Sequence, residues 1–182
     1  MANIWISSDL HIGHRKILEY SHRPFATIEE HDEALIENFN ARVRPCDLLL
    51  ILGDFSLAPP QLVPGYVKRF NGTKHLVAGN HDRFLKDKKR DFGFGWVGPY
   101  KEIKFNKTLY CLMHYPMLSW RSSFRGSVQL HGHTHQVDPI GDPAVRRINV
   151  GVDAHQYKPV SIEEIEQIVA KVNWKPKDHH DL

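Results

Sequence analysis

Five short segments of the sequence carry side chains that can bind metal ions. Each follows a stretch of apolar residues that is typical of a β-strand. The segments are Asp9-Leu10-His11, Gly53-Asp54, Gly79-Asn80-His81-Asp82, His114, and Gly132-His133-Thr134-His135. Carboxylate, imidazole and amide oxygen without any thiolate favour divalent ions such as manganese, iron, zinc or cobalt over a structural cysteine-type zinc site. The sequence therefore predicts a metal centre built from widely separated strand ends.

The number of candidate ligands indicates more than one ion. The candidates are Asp9, His11, Asp54, Asn80, His114, His133 and His135. Seven side chains exceed the needs of one tetrahedral ion, and they fit two ions that share a bridging carboxylate, an arrangement that drives in-line displacement at phosphorus. The spacing of two within Asp9/His11 and within His133/His135 predicts an extended backbone that directs both partners to the same side. In three segments a glycine directly precedes a ligand, which predicts a sharp turn or a close approach to an ion.

The elements that must position these residues change character halfway along the chain. In the first half, strands are predicted over 3–7, 47–52 and 74–78, with helices over 27–43 and 59–70 between them. In the second half, strands over 100–105, 109–113, 127–130 and 146–150 follow one another through loops, before a capped helix over 161–172. The basic stretch after Asp82 is predicted to form a short surface helix. The alternation of strands and helices predicts a layered α/β fold, in which functional groups gather beyond the carboxyl ends of the strands.

The order of these motifs resembles that of the calcineurin-like metallophosphoesterase superfamily. The matching strings are DLH at 9–11, GDFS at 53–56, GNHD at 79–82, MHYP at 113–116 and GHTH at 132–135. DLHIGHRKIL, HRPF at 22–25 and EEHDEALIENFN at 29–40 are similar to a compact bacterial and phage-type branch, in which Asn often stands at the position of Lys16. The resemblance implies an α/β fold that is a four-layer α/β/β/α sandwich of two mixed sheets.

The resemblance also implies a role for each candidate residue. One ion would be bound by Asp9, His11, Asp54 and His135, and the second by Asp54, Asn80, His114 and His133, so that Asp54 bridges. Manganese is the favoured ion, with iron, zinc or cobalt as alternatives. His81 would be the non-ligand histidine beside the leaving group, and Asp82 would fix its tautomer. The expected mechanism is attack by a metal-bridging hydroxide on phosphorus, with His81 assisting the departing oxygen.

Basic and polar residues near the motifs are candidates for substrate binding. His14 follows the first ligand pair, and Arg121 and Arg125 lie between His114 and the GHTH string. Arginine side chains near a phosphate site can bind its oxygens with two parallel hydrogen bonds. The alternative for these basic residues is an ordinary solvated surface. Asn149 and Asp153, in the string NVGVD, are predicted to be structural.

Length and composition bound the class of protein. The chain has 182 residues, 41% hydrophobic and 25% charged, which is ordinary globular usage and predicts one domain over 1–172 with a tail over 173–182. The net charge of +3 is too small to indicate nucleic-acid binding by itself. The sequence shows no signal peptide and no membrane span, so we expect a cytoplasmic protein. Cys46 and Cys111 are expected to be buried, unreactive thiols.

The leading functional hypothesis is a hydrolase of phosphate esters, with phosphodiesters such as cyclic nucleotides or nucleic-acid fragments as the favoured substrates. A phosphomonoesterase or nucleotide pyrophosphatase is the close alternative. A non-catalytic phosphoesterase-like scaffold is disfavoured because all seven ligands and His81 are present. A nucleic-acid-binding module would show salt-sensitive binding that persists after the metal is removed. The sequence leaves the metal, the substrate and the oligomeric state open.

Overall fold

The computed structural model describes residues 2–175. The strands are β1 (Ile4–Ser7), β2 (Leu48–Ile51), β3 (Thr73–Val77), β4 (Trp96–Gly98), β5 (Lys101–Phe105), β6 (Thr108–Leu112), β7 (Val128–His131), β8 (Arg147–Asn149) and β9 (Val160–Ser161). The α-helices are α1 (Ile17–Tyr20), α2 (Ile28–Asn40), α3 (Val63–Arg69) and α4 (Ile162–Val169). Residues 176–182 of the predicted tail lie outside the described residues. The division into a domain over 1–172 and a tail stays a prediction.

The first sheet holds the strands that carry the early motifs. Its order is β4-β3-β2-β1-β9, with β1 to β4 parallel and β9 antiparallel to β1. The strand β2, with the sequence LLLI, lies at the centre and is almost wholly buried, as expected for a strand covered on both faces. Because β1, β2 and β3 are parallel, their carboxyl ends lie at one edge, where the first three motifs follow them.

Helices α2 and α3 cover the outer face of the first sheet. The hydroxyl of Thr27 accepts a hydrogen bond from the backbone N–H of Glu30 at 3.1 Å, which caps α2 at the residue where the sequence predicted this helix to begin. The buried face of α2 presents Leu35 and Phe39 to a cluster that includes Leu49 and Ile51 of β2. This packing fixes the sheet from behind and leaves its carboxyl edge open for the site.

The second sheet packs against the inner face of the first. Its order is β5-β6-β7-β8, with β5 antiparallel to β6 and the others parallel. The β5–β6 hairpin turns at Asn106 and Lys107, which both have positive φ, as a two-residue type I′ turn requires. A single buried cluster joins the two sheets and α4; it includes Ile6, Leu50, Leu112, Leu130, Ile148 and Ile165.

The outer face of the second sheet is covered by loops and a short 3₁₀ turn. The Gln129 side-chain amide donates to the backbone carbonyl of Tyr115 at 2.9 Å, and the Arg147 guanidinium donates to that of Met117 at 3.0 Å. Helix α4 instead contacts β1, β9 and β8, at one side of the two sheets. The predicted fold class is confirmed: the chain is mixed α/β with two mixed sheets and four α-helices.

Most elements lie within a few residues of their predicted bounds, and the short ones account for the differences. The strands β4 and β9 and the helix α1 have only two to four residues each and were not predicted. The short surface helix predicted after Asp82 is a 3₁₀ helix over Arg83–Lys86. Cys111 is buried as expected, whereas Cys46 is exposed, and both are free thiols. Within residues 2–175, no helix combines the length and apolar character that crossing a bilayer requires.

Candidate metal centre

The predicted ligands converge where the carboxyl ends of both sheets meet. Backbone hydrogen bonds join the loops that carry them: the N–H of Asp9 donates to the carbonyl of Gly53 at 3.1 Å, and the N–H of Gly132 donates to that of His114 at 3.0 Å. The backbone N–H of His133 donates to the carboxylate of Asp9 at 2.9 Å, across the two sheets. Residues that are far apart along the chain are therefore held within a few ångströms of one another.

Five of the seven predicted ligands have a left-handed backbone conformation. Their φ values are 59° at Asp9, 54° at His11, 53° at Asp54, 70° at His133 and 51° at His135. The prediction of an extended backbone in the two spaced pairs is therefore wrong, because the chain turns at each ligand. A non-glycine residue in this region costs about 1 kcal/mol or more, and such strain is typical of functional sites.

Two glycines allow the loops to approach closely enough. A side chain at Gly53, where φ is +93°, would overlap the ring of His114, and one at Gly132 would overlap Ser8 and the carboxylate of Asp9. Both positions directly precede a candidate ligand. The expectation that these glycines permit a sharp turn or a close approach is confirmed.

The candidate donor atoms form two groups. The first group is Asp9, His11 and His135, and the second group is Asp54, His114 and His133; within each, the donor atoms lie within 4.8 Å of one another. The Oδ2 atom of Asp54 lies 3.6 Å from Nε2 of His11 and 3.4 Å from Nε2 of His114, so it stands between the groups. The Oδ1 atom of Asn80 lies 3.0 Å from Nε2 of His114. The structure brings together all seven predicted ligands.

One atom in particular tests whether the residues of this site fit a cation. The Nε2 atom of His11 is buried and has no hydrogen-bond partner among the described residues. Burial, His135 and Arg23 hold the pKa of His11 far below its usual value, so its ring is neutral, the form that binds metals. A buried polar atom without a partner is costly, and a divalent ion would supply one. The residues present therefore fit a divalent-metal centre with nitrogen and oxygen ligands.

The charges of the site also suit cations. Burial acts to raise the pKa of Asp54, but hydrogen bonding and charge from His114, together with the backbone N–H of His81, outweigh it and lower that pKa. Burial acts to lower the pKa of His135, but Asp153 and Asp9 raise it above its usual value, because these carboxylates stabilise positive charge at the ring. Asp54 is therefore an ionised carboxylate between two clusters of imidazole rings.

The two non-ligand histidines stand beside the first group. The ring of His81 is half-buried, with its centroid 5.3 Å from that of His11 and 6.0 Å from that of His14. Its backbone N–H donates to Oδ1 of Asp54 at 2.8 Å. The Nδ1 atom of His14 lies 3.1 Å from Nδ1 of His11. Both histidines are at the site, as the sequence predicted, and belong to neither donor group.

Asp82 has a different contact from the one expected. Its carboxylate accepts hydrogen bonds from three backbone N–H groups: those of Gly79 and Asp54 at 2.9 Å, and that of Phe55 at 2.8 Å. No hydrogen bond joins it to the ring of His81 in the described part of the chain. Asp82 therefore fastens the second and third motif loops together, and the prediction that it fixes the tautomer of His81 is not supported.

The two predicted substrate-binding arginines are not joined to the metal centre. Arg121 is 69% exposed and forms an ion pair with Glu102 of β5 at 2.6 Å. Arg125 lies in the exposed 3₁₀ turn Ser123–Arg125 and makes no hydrogen bond or ion pair with a candidate ligand in the part that the structure describes. Lys16 is exposed at the start of α1. Substrate contact by Arg121 and Arg125 stays a prediction.

A buried arginine network behind the first group was missed by the sequence analysis. Both oxygens of Asp153 accept hydrogen bonds of 2.8 Å from Arg23, and Nδ1 of His135 lies 2.8 Å from one of them. The same guanidinium donates to the backbone carbonyl of Asp9 at 2.8 Å and contacts Nε2 of the buried His31 at 2.8 Å. In the sequence, Arg23 looked like one more cation in a basic loop.

The two residues of the NVGVD string have different roles. The side chain of Asn149 donates to the carbonyl of Gln136 at 3.0 Å and accepts from the N–H of Gly151 at 2.9 Å, which confirms its structural role. Asp153, also expected to be structural, supports the candidate ligand His135 through a direct contact of its carboxylate. The position of Asp153 two residues after the loop at Gly151 gave no signal of that contact.

Comparisons with known proteins agree with this arrangement. The sequence profile of the calcineurin-like phosphoesterase superfamily domain matches residues 2–162. The chain is 32% identical over 177 residues to the uncharacterised protein MJ1445 of Methanocaldococcus jannaschii, covering 94% of this chain and 93% of that protein. It is 30% identical over 209 residues to the gene 66 protein of Mycobacterium phage L5, covering 98% and 100%. The crystal structure of AQ665, a protein of unknown function from Aquifex aeolicus, superposes with a TM-score of 0.75 at 26% identity, covering 92% of this chain and 100% of that one.

Proposed function

We propose that this chain, which belongs to the calcineurin-like phosphoesterase superfamily, is a metal-dependent hydrolase of phosphate esters that favours phosphodiesters. Family membership and the two donor groups support the class of reaction. The observation that carries the proposal is the position of the Asp54 carboxylate, 3.6 Å from one donor of the first group and 3.4 Å from one of the second. A single carboxylate between two donor groups suits a pair of divalent ions that share it.

The ligand assignment follows the two groups. Asp9, His11 and His135 would hold one ion, His114, His133 and Asn80 the other, and Asp54 both. Bound divalent ions supply Lewis-acid chemistry: they acidify water and neutralise charge on the phosphate oxygens. Manganese is our preferred ion because the donor set combines carboxylates and an amide oxygen with imidazoles.

The remaining residues of the site act on the substrate and its proton. In the reaction, the oxygen of water bonds to phosphorus, the P–O bond to the departing group breaks, and a proton ends on the departing oxygen. His81 is half-buried beside the donor groups, so its ring is placed to donate that proton or a hydrogen bond. His14, in contact with His11, is placed to bind a phosphate oxygen.

The proposal is tested with two substitutions and a matched control. Asp54→Asn removes the shared charge, so we expect metal-dependent turnover of bis-p-nitrophenyl phosphate to be abolished. His81→Ala removes the proton donor, so we expect turnover to fall about 10²–10⁴-fold while the bound metal, measured by elemental analysis, is retained. Asp138→Asn makes the same chemical change as Asp54→Asn at an exposed position and should be active. Full activity of Asp54→Asn would contradict the proposal.

Substrate and metal preference are measured on the wild-type protein. A panel of monoester, diester and cyclic phosphate substrates is assayed with added manganese, zinc, iron and magnesium. Faster turnover of diesters than of monoesters supports the proposed preference. The opposite ranking would replace it with phosphomonoesterase activity and leave the metal centre unchanged.

A further inference from the structure

A cleft of about 660 Å³ opens beside the metal centre. One wall is formed by Gly79 and the candidate ligand Asn80, and the rest by chain segments between Arg83 and Pro99. A second cleft of about 510 Å³ is lined by His81 and by the loop around Pro59. Arg83 lines both clefts.

Part of the wall of the larger cleft is apolar and aromatic. It includes Phe92, Phe94, Leu85 and Val97. Phe94 is half-buried and packs edge-on against Phe55 with ring centroids 5.4 Å apart, so its orientation is fixed by the core. A fixed aromatic ring in a cleft of this size suits a planar group such as a nucleobase. Because every base has a flat face, this stacking does not depend on the nucleotide sequence.

The rim of the same cleft is cationic. The side chains of Arg83, Lys86 and Lys88 have no acidic partner within residues 2–175. Three acidic residues also line the cleft: Asp87 pairs with Arg90 at 3.2 Å, Asp91 accepts the N–H of Gly93 at 2.8 Å, and the buried Asp82 accepts backbone N–H groups. With Arg90 counted, four cations and three acids leave the lining with one net positive charge. Three unpaired cations beside an apolar wall favour a ligand that carries both a base and several phosphates.

We propose that this cleft is the substrate-binding surface for single-stranded nucleic acid. A base lies against Phe94, neighbouring phosphates contact Lys86 and Lys88, and the scissile phosphodiester reaches the metal centre. The inference rests on the proposed function, since it names the substrate class of the same hydrolytic site. Replacing both rim lysines, Lys86 and Lys88, tests this inference without changing a residue of the proposed hydrolytic site.

The test measures binding before any turnover. Fluorescein-labelled oligothymidylate is titrated by anisotropy into the full chain treated with EDTA, at several salt concentrations. For Lys86→Ala/Lys88→Ala we expect the slope of log affinity against log salt to fall by about 1.4, since each phosphate contact on a single strand contributes about 0.7. At about 0.1 M salt this is a loss of roughly 20-fold in affinity.

A matched double variant controls for the change in net charge. Lys104 on β5 and Lys171 after α4 are both exposed and lie outside the cleft. Lys104→Ala/Lys171→Ala should bind oligothymidylate like the wild-type protein. Equal losses in the two double variants would overturn the inference, because binding would then follow the overall charge and not the cleft.

Turnover in the presence of manganese keeps the two proposals distinguishable. We expect the wild-type protein to hydrolyse oligothymidylate, and the rim variant to lose more kcat/KM on the oligonucleotide than on bis-p-nitrophenyl phosphate. Wild-type turnover of the small diester without oligonucleotide binding would overturn this inference alone. No turnover of any phosphate ester with any metal would overturn the proposed function.

A separate variant tests the stacking. Phe94→Leu, which removes the ring and keeps most of the bulk, should weaken oligonucleotide binding; unchanged binding would contradict stacking.

Discussion

The two donor groups of the metal centre differ in what supports them. The first group is held by a buried charged network, in which Arg23 contacts the backbone of Asp9 and the carboxylate behind His135. The second group is held mainly by backbone: Nδ1 of His114 lies 2.8 Å from the carbonyl of Leu52. Its member His133 is exposed, and so is Asn80, whose Oδ1 atom lies beside His114.

The first group is therefore tied to the stability of the fold, whereas the second group is the more accessible to solvent. A buried guanidinium that contacts residues 130 positions away ties the first group to the folding of the whole chain. The second group opens toward solvent and the cleft, so its exposed ligands can change with a smaller effect on the fold. We therefore expect substitutions behind the first group to act on stability and metal binding together.

The largest effect is expected for Arg23→Ala. The change leaves Asp153 buried without its cation, so we expect the free energy of unfolding in urea to fall by about 3–5 kcal/mol. Arg23→Lys should recover only part of this loss, since a single ammonium cannot replace the planar fork of hydrogen bonds. Arg121→Ala, which breaks an exposed ion pair, should leave the urea midpoint of unfolding nearly unchanged. A similar small effect of Arg23→Ala would remove the contrast between the groups.

A smaller loss is expected for Asp82→Asn. The carboxylate accepts three backbone N–H groups, and an amide presents its own N–H₂ to at least one of them. Leaving a buried donor unsatisfied costs about 1–3 kcal/mol, which urea unfolding of the metal-free protein measures. Because Asp82 joins the loops of the second group, a loss as large as that of Arg23→Ala would show that both groups are tied equally to the fold.

The effect of Asp153→Asn should be seen mainly in metal binding. The substitution keeps an acceptor for Arg23 but changes the partner of His135, so we expect metal affinity of the first group to fall about 10–100-fold. Calorimetric titration with manganese should then show one tight and one weakened site. Asp138→Asn is the control and should retain both. Two unchanged sites in Asp153→Asn would show that Asp153 does not position His135.

Much of this protein is predictable from local sequence. The carboxylates, imidazoles and amide that follow apolar strands predicted seven candidate ligands that the structure brings together, and the strings around Thr27 and Ser161 located two helix starts that the structure confirms. The errors lie where the local pattern is weak. The strands β4 and β9 have three and two residues, too few to show a period.

Backbone conformation at the ligands was a different kind of error. A spacing of two is compatible with an extended chain or with turns, and the structure has turns at Asp9, His11, His133 and His135. Left-handed φ is uncommon for any non-glycine residue, and although Asp and His adopt it more often than most, that preference is too weak to predict it at a given position. Contacts between the loops of the two sheets impose it.

The sequence by itself determined the chemistry: the order and types of the ligands, the strands that precede them and the glycines that let the loops meet. Only the tertiary structure decided which buried charges support which ligand. Arg23 and Asp153 are separated by 130 positions, and no local sequence pattern reveals that two residues so far apart are in contact. Their pairing is set when two sheets pack and a guanidinium loses water, because a desolvated charge is stable only where folding supplies its partners.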